Sequence, residues 1–290
     1  SNGRVMLTGP AGSGKEVAAR YIHANSERAD APFVTVNCAG VAPERMEEVL
    51  FGRETPERGI EPGLLEQAHG GIVYFDEIAD MPIGTQSKIL RVLVDQQFIR
   101  LGGTDVVRVD LRVISSTTKN LKALIAEGKF REELYHRLNV VPIEVPSLEV
   151  RRDDIPDLVV HFVRELNEQQ GLINRNFSRE SITYLQSMKW PGNIRQLRNY
   201  IERILILGPA EEEITLTELK QLEEKNEVSK NETKTLDVAT LPLREARERF
   251  EKDYLLTQIS RFGGNISRTA SFVGMERSAL HRKLKSLNIK

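Results

Sequence analysis

The 290-residue sequence predicts an α/β domain on a parallel sheet, followed by an all-α region ending in a helix-turn-helix. Three observations carry this. A strand signal, a glycine-rich turn and a helix signal open the chain in that order. Strand and helix signals then alternate to residue 145, as in parallel sheets with helical crossovers. Beyond that point the strand signals stop, and the last fifty residues turn basic.

The first strand is Arg4-Val5-Met6-Leu7. It runs into Gly9-Pro10-Ala11-Gly12-Ser13-Gly14-Lys15, and Val17 to Ile22 follow with helical spacing. The turn reads G-x-x-x-x-G-K. Glycines let successive backbone N–H groups curl round a phosphate, the helix N-terminus adds partial positive charge, and Lys15 can reach the β- and γ-phosphates. The plain alternative is a glycine-rich turn with a chance lysine; the strand before and the helix after argue against it. Glu16 stands where a magnesium-binding hydroxyl usually follows the lysine.

Further strands are expected at Phe33–Val36, ending at Asn37, at Ile72–Phe75, at Leu111–Ser115 and at Val140–Ile143. Helices are expected at Ala42–Phe51 and Gln86–Val94. The run Ile72–Phe75 is apolar throughout, as a parallel strand covered on both faces requires. Asp76 and Glu77 close it, at the carboxyl end of the strand, where open α/β sheets bind ligands. An acid there can hold Mg²⁺, and a second can activate an attacking water. Residues 1–145 therefore form the α/β unit. Residues 146–221 read as all-helical, with helices at Asp153–Gln170, Ser178–Met188 and Asn193–Leu207 and a break at Trp190-Pro191-Gly192. Residues 222–240 are polar and poor in large apolar side chains, which predicts a linker.

Composition narrows the classes. An apolar fraction of 40% supports a substantial core. No apolar run approaches the ~20 residues that span a bilayer. Cys38 is the only cysteine, so an internal disulfide and a cysteine-based zinc cluster are excluded and a reducing, cytoplasmic setting is expected. The sequence starts in the approach to its first strand, which suggests a fragment of a longer protein. The net charge of −1 divides unevenly: residues 241–290 carry +6 and the rest −7. A basic tail on an acidic body points to nucleic acid.

Within that tail, Pro242–Phe262 can form a long amphipathic helix, stopped by Gly263-Gly264. Its apolar stripe suits a two-fold dimer. Asn265 caps a short helix to Val273, Gly274 supplies a tight turn, and Glu276–Leu287 forms the second helix. That second helix offers Arg277, Ser278, His281, Arg282 and Lys285 to DNA and keeps Leu280, Leu284 and Leu287 for packing.

The segments Gly9–Glu16, Val36-Asn37-Cys38-Ala39, Leu50-Phe51-Gly52, Gly70–Ile78, Phe130–Val140 and Trp190–Arg195 occur in this order. Together they resemble the AAA+ module of bacterial enhancer-binding proteins of the NtrC type, most of all the NtrX subgroup. In that subgroup a glutamate after the loop lysine is usual. The resemblance implies an ATPase fold with a helical lid over residues 146–221 and a Fis-type DNA-binding domain over 241–290. It makes Lys15 the Walker A lysine and Asp76 and Glu77 the Walker B acids. It makes Asn37 a switch residue restraining Glu77, Thr118 a polar sensor, and Arg195 the sensor arginine of the lid. Arg131 and Arg137 become a pair offered to a neighbouring subunit's nucleotide. It also implies a regulator in a two-component system, with a receiver domain, a histidine kinase, a dimer or AAA+ ring, and RNA polymerase as partners.

One stretch departs from the family. NtrC-type activators carry a Gly-Ala-Phe-Thr-Gly-Ala loop that grips the sigma-54 factor. Here Arg53–Gly63 has no aromatic residue, carries Arg53, Glu54, Glu57, Arg58 and Glu61, and includes Pro56 and Pro62. Two expectations follow: a DNA-binding regulator without the usual sigma-54 contact, or a conventional ATP-driven activator. A metabolic kinase on the same phosphate loop is a third class, and the basic tail argues against it.

Overall fold

The computed structural model describes residues 2–57, 59–209 and 213–223, then Arg247, 251–252, 254–256, 258–259, Phe262 and 265–286. It divides into two compact units, residues 1–215 and 216–290.

The first unit is built on β1 (Val5–Thr8), β2 (Phe33–Asn37), β5 (Ile72–Asp76), β8 (Arg112–Thr117) and β9 (Val141–Glu144). The sheet order is β2-β5-β8-β1-β9 and every pairing is parallel. Parallel strands need crossovers, and these place apolar side chains on both faces. The side chains alternate accordingly. Met6, Val73, Phe75 and Val113 join one buried cluster, while Val5, Leu7, Ile72, Tyr74 and Ile114 join another. The first cluster is closed by α2 (Met46–Phe51), α4 (Ile83–Asp95) and α6 (Glu132–Leu138) through Leu50, Ile89 and Leu134. The second is closed by α1 (Lys15–Ala24) through Ala19. The short helices α3 (Leu64–Gln67) and α5 (Leu121–Ala126) add Leu65 and Leu121 to the first cluster.

Two hairpins are additions to the expected alternation. β3 (Gly52–Thr55) pairs with β4 (Gly59–Pro62), and β6 (Gln97–Ile99) pairs with β7 (Val106–Arg108). They are joined through Leu101, in the connection between β6 and β7: Glu54 N donates to Leu101 O and Leu101 N donates to Gly52 O. Strands of three or four residues carry little alternation, so their pattern does not stand out.

Residues 146–215 hold α7 (Ile155–Gln170), α8 (Arg179–Ser187) and α9 (Asn193–Leu207). Ser178 caps α8, its Oγ accepting from Ser181 N. The expectation of a purely helical stretch is corrected by a two-residue parallel pair, β10 (Asn176–Phe177) with β11 (Glu213–Ile214). Ile214 is fully buried, and its carbonyl accepts from Ser178 N and Ser181 Oγ. Backbone groups brought inside by a buried side chain need partners, and a short ladder supplies them.

In the second unit, α10 (Ile266–Phe272) and α11 (Arg277–Ser286) form the expected helix-turn-helix. Asn265 Oδ1 accepts from Arg268 N, and Gly274 makes the turn at φ +71. Leu255, Ala270, Leu280 and Leu284 form its core. The expected linker falls almost wholly outside the described residues, and the dimer helix Pro242–Phe262 falls largely outside them. Among the described residues no helix is long and apolar enough to cross a membrane.

Candidate functional site

Parallel strands end together, and their carboxyl ends bring distant residues to one edge. β1 delivers the glycine-rich loop, β2 delivers Asn37, β5 delivers Asp76 and Glu77, and the turn after β8 delivers Thr118. Asn37 and Asp76 are direct neighbours in the register. These residues line one cleft of about 1190 Å³ with Ala11–Glu16, Arg151, Phe162, Ile194 and Arg195. Gly9 and Pro10, the first two residues of the loop, line a second cavity of about 560 Å³.

Lys15 begins α1 and is 6% exposed. Its Nζ donates to Gly9 O (3.1 Å) and Pro10 O (3.2 Å) and lies 3.5 Å from Glu77 Oε1. A cation this buried requires such partners. Glu77 Oε2 accepts from both Thr118 N and Thr118 Oγ1 at 2.9 Å. Asp76 Oδ1 accepts from Ser116 Oγ (2.7 Å) and lies 3.0 Å from the Tyr74 hydroxyl. Burial pushes the Tyr74 phenol above its ordinary range, so it stays a proton donor. Ser116 Oγ also accepts from Glu77 N at 3.3 Å, so one hydroxyl fixes both acids.

Among the described residues Asn37 makes no hydrogen bond to Glu77. Its Oδ1 accepts from Gly40 N at 3.0 Å, closing the turn after β2, and the Glu77 carboxylate is restrained by Thr118 and Lys15 instead. An asparagine at a strand end finds its nearest donor in its own turn. Arg131 and Arg137 lie outside the cleft, and both are exposed. Arg131 precedes α6 and its Nε donates to Ile83 O; neither arginine pairs with a carboxylate among the described residues.

Four contributors were missed at the sequence level: Tyr74, Ser116, Arg151 and Asn193. Tyr74 stands two residues before Asp76 on the same strand face, a signal that period-two reading could have used. Ser116, Arg151 and Asn193 depend on tertiary neighbours. Arg195 enters the cleft from the start of α9.

In the second unit Arg277, Ser278, His281, Arg282 and Lys285 are all exposed on α11, while Leu280 and Leu284 are buried beneath it. Lys283 pairs with Glu251. The free face is therefore basic and polar, with no acid after Glu276.

Residues 1–144 match the sigma-54 interaction domain family, residues 149–236 the AAA+ ATPase lid domain, and residues 246–287 the bacterial regulatory protein Fis family. The whole chain is 54% identical to the nitrogen assimilation regulatory protein NtrX of Azorhizobium caulinodans and spans 64% of its length. Over 98% of the chain it is 37% identical to the DNA-binding transcriptional regulator NtrC of Klebsiella pneumoniae, spanning 65% of that protein. A crystal structure of NtrX from Brucella abortus in complex with ATP is similar over the whole chain, with TM-score 0.70 and 56% identity, covering 64% of that chain. The chain thus spans a little under two thirds of the relatives it matches. With a glycine-rich phosphate loop, paired acids, a helical lid and a terminal helix-turn-helix in the family's order, it belongs to the NtrX/NtrC family of bacterial regulatory proteins.

Proposed function

We propose that this chain is the nucleotide- and DNA-binding part of a cytoplasmic transcriptional regulator in a two-component system. The convergence of Lys15, Asp76, Glu77, Thr118 and Arg195 on one cleft supports it most. ATP fits the residues present. The loop offers amides at the entrance to α1, and Ser13 Oγ is buried with no hydrogen-bond partner among the described residues. Asp76 is the residue that would hold Mg²⁺, because its second oxygen bonds no group among the described residues. When bound, the ion would neutralise phosphate charge. Glu77, bonded by Thr118 and 3.5 Å from Lys15, would orient a water. Arg131 and Arg137 would serve the cleft of a second copy. The α11 face would read double-stranded DNA. A receiver domain, a histidine kinase and RNA polymerase belong to the same reading as partners.

The finer part of the reading concerns the hairpin β3–β4. Its described side chains are charged or small apart from Ile60, which is 55% exposed, and Pro56 and Pro62. Arg100 grips Glu54 (3.6 Å) and Glu66 (2.7 Å) at the hairpin base. A remodelling element must touch its partner and bind it differently in two nucleotide states. This one offers little apolar area to do so, which supports regulation by promoter occupancy. The conventional activator is the second reading, favoured by the match to the sigma-54 interaction domain and by exposed Ile60. Reconstituted transcription with sigma-54 polymerase separates them. Absence of ATP-dependent open complexes is expected. Open complexes lost in Glu77→Gln and on deleting residues 53–59 would overturn this reading.

A further inference from the structure

Three successive carbonyls of the glycine-rich loop are bonded from the lid. Asn193 Nδ2 donates to Ala11 O at 2.8 Å. The amides of Ile194 and Arg195 donate to Gly12 O at 2.9 and 3.4 Å. Arg151 Nη2 donates to Ser13 O. Asn193 is itself fixed: it is 2% exposed, its Oδ1 accepts from Leu148 N at 2.8 Å, and its backbone lies at φ +52. Loop and lid touch backbone to backbone. A Cβ on Gly12, at φ +72, would come within 2.3 Å of Gly192 O.

A trans peptide directs each carbonyl and the following N–H to opposite sides. Drawing the Ala11 and Ser13 carbonyls toward the lid therefore turns the amides of Gly12 and Gly14 away from those lid donors. Gly12 and Gly14 line the cleft, and neither amide donates to a protein group among the described residues. We propose that Asn193 and Arg151 are positioning residues for the phosphates of a bound nucleotide. They act from the lid, through the loop carbonyls, by presenting the loop amides to the ligand. The lid is then part of the phosphate site's scaffold as well as its cover. This rests on the nucleotide reading above.

The loop cradles phosphates shared by ATP and ADP. Loss of the latch should weaken both nucleotides by the same factor, whereas a residue acting on the γ-phosphate would change their ratio. Asn193→Gly tolerates positive φ and removes only the side chain. Asn193→Asp keeps the acceptor for Leu148 N and sets a carboxylate oxygen against Ala11 O. Calorimetric titration of the 290-residue chain with ATP and with ADP, alongside thermal unfolding without nucleotide, makes the test. Each variant is expected to weaken both nucleotides at least about fivefold, the scale of one lost buried hydrogen bond. Arg151→Ala, at a partly exposed residue, should do the same if either Asn193 variant fails to fold. Wild-type affinity in folded variants, or loss of ATP with ADP retained, overturns the proposal. Failure of the wild type to bind either nucleotide would instead sink the nucleotide reading, and the latch with it.

Discussion

Cys38 shows how far one side chain reports its surroundings. It follows Asn37 and is 2% exposed, and its N–H donates to the Asp76 carbonyl. Burial, then the negative charges of Asp76, Asp80 and Glu77, push its thiol up to about 12. A free cysteine titrates near ~8.5, so the fold favours the neutral thiol. Its contribution to stability is full below ~8.5 and is lost as pH rises from there toward 12. The reactive thiolate is correspondingly scarce. At pH 8 iodoacetamide should modify native protein at least ~100-fold more slowly than unfolded protein. Equal rates in buffer and in guanidinium would refute the burial. Glu77 and Asn193 share another residue-scale feature, backbone in the left-handed region at φ +52. Such geometry costs a non-glycine residue roughly 1–2 kcal/mol and persists when surroundings over-determine it. Here the Ser116 and Thr118 bonds to Glu77 and the bonds of Asn193 to Leu148 and Ala11 do so.

At the scale of elements, α11 divides its side chains cleanly. Leu280 and Leu284, one turn apart, are buried, and Arg277, His281, Arg282 and Lys285 point outward. A helix seated in a major groove places its early side chains on base edges and its later ones on phosphates. Arg277→Ala should weaken operator binding by ~1–3 kcal/mol and relax the base preference at one position. Lys285→Ala should lower affinity uniformly and reduce the salt slope by ~1. Gel-shift titrations at several salt concentrations check both; a Lys285 variant that changes the preferred base would contradict the assignment. The parallel strands, the long lid helices and α11 were legible because each repeats a pattern over several residues. The phosphate loop was legible because its chemistry is local. The hairpins β3–β4 and β6–β7 were not, since Arg53-Glu54-Thr55 and Val106-Val107-Arg108 give too few alternations. The contacts that hold the Glu77 carboxylate were not legible either. Whether Asn37 or Thr118 reaches it depends on which donor lies closer once β2, β5 and β8 are aligned.

For the whole molecule, the decisive fact is where the cations lie. Lys15 and Arg195 are inside the cleft, and Arg131 and Arg137 are exposed outside it with no carboxylate partner among the described residues. Arg137 also lies close enough to Arg4 to help burial lower the Arg4 guanidinium's pKa, so like charges gather there. An exposed arginine without a carboxylate partner can meet an outside anion, and an arginine supplied in trans to a phosphoryl group is such a use. On the function proposed above, each cleft is complete only when a second copy contributes these arginines, and the rate of any hydrolysis per chain should fall on dilution. Mixing gives the sharper test. Lys15→Ala lacks its own phosphate site but keeps both arginines; Arg137→Ala keeps the site but cannot complete a neighbour's. Each variant alone should be nearly inactive. An equimolar mixture should recover activity, because clefts with Lys15 can meet a Lys15→Ala chain that still carries Arg137. Lys15→Ala should also keep its DNA affinity, since α11 belongs to a separate compact unit. A mixture no more active than the average of its parts, at a concentration where the chains associate, would place the arginines outside catalysis.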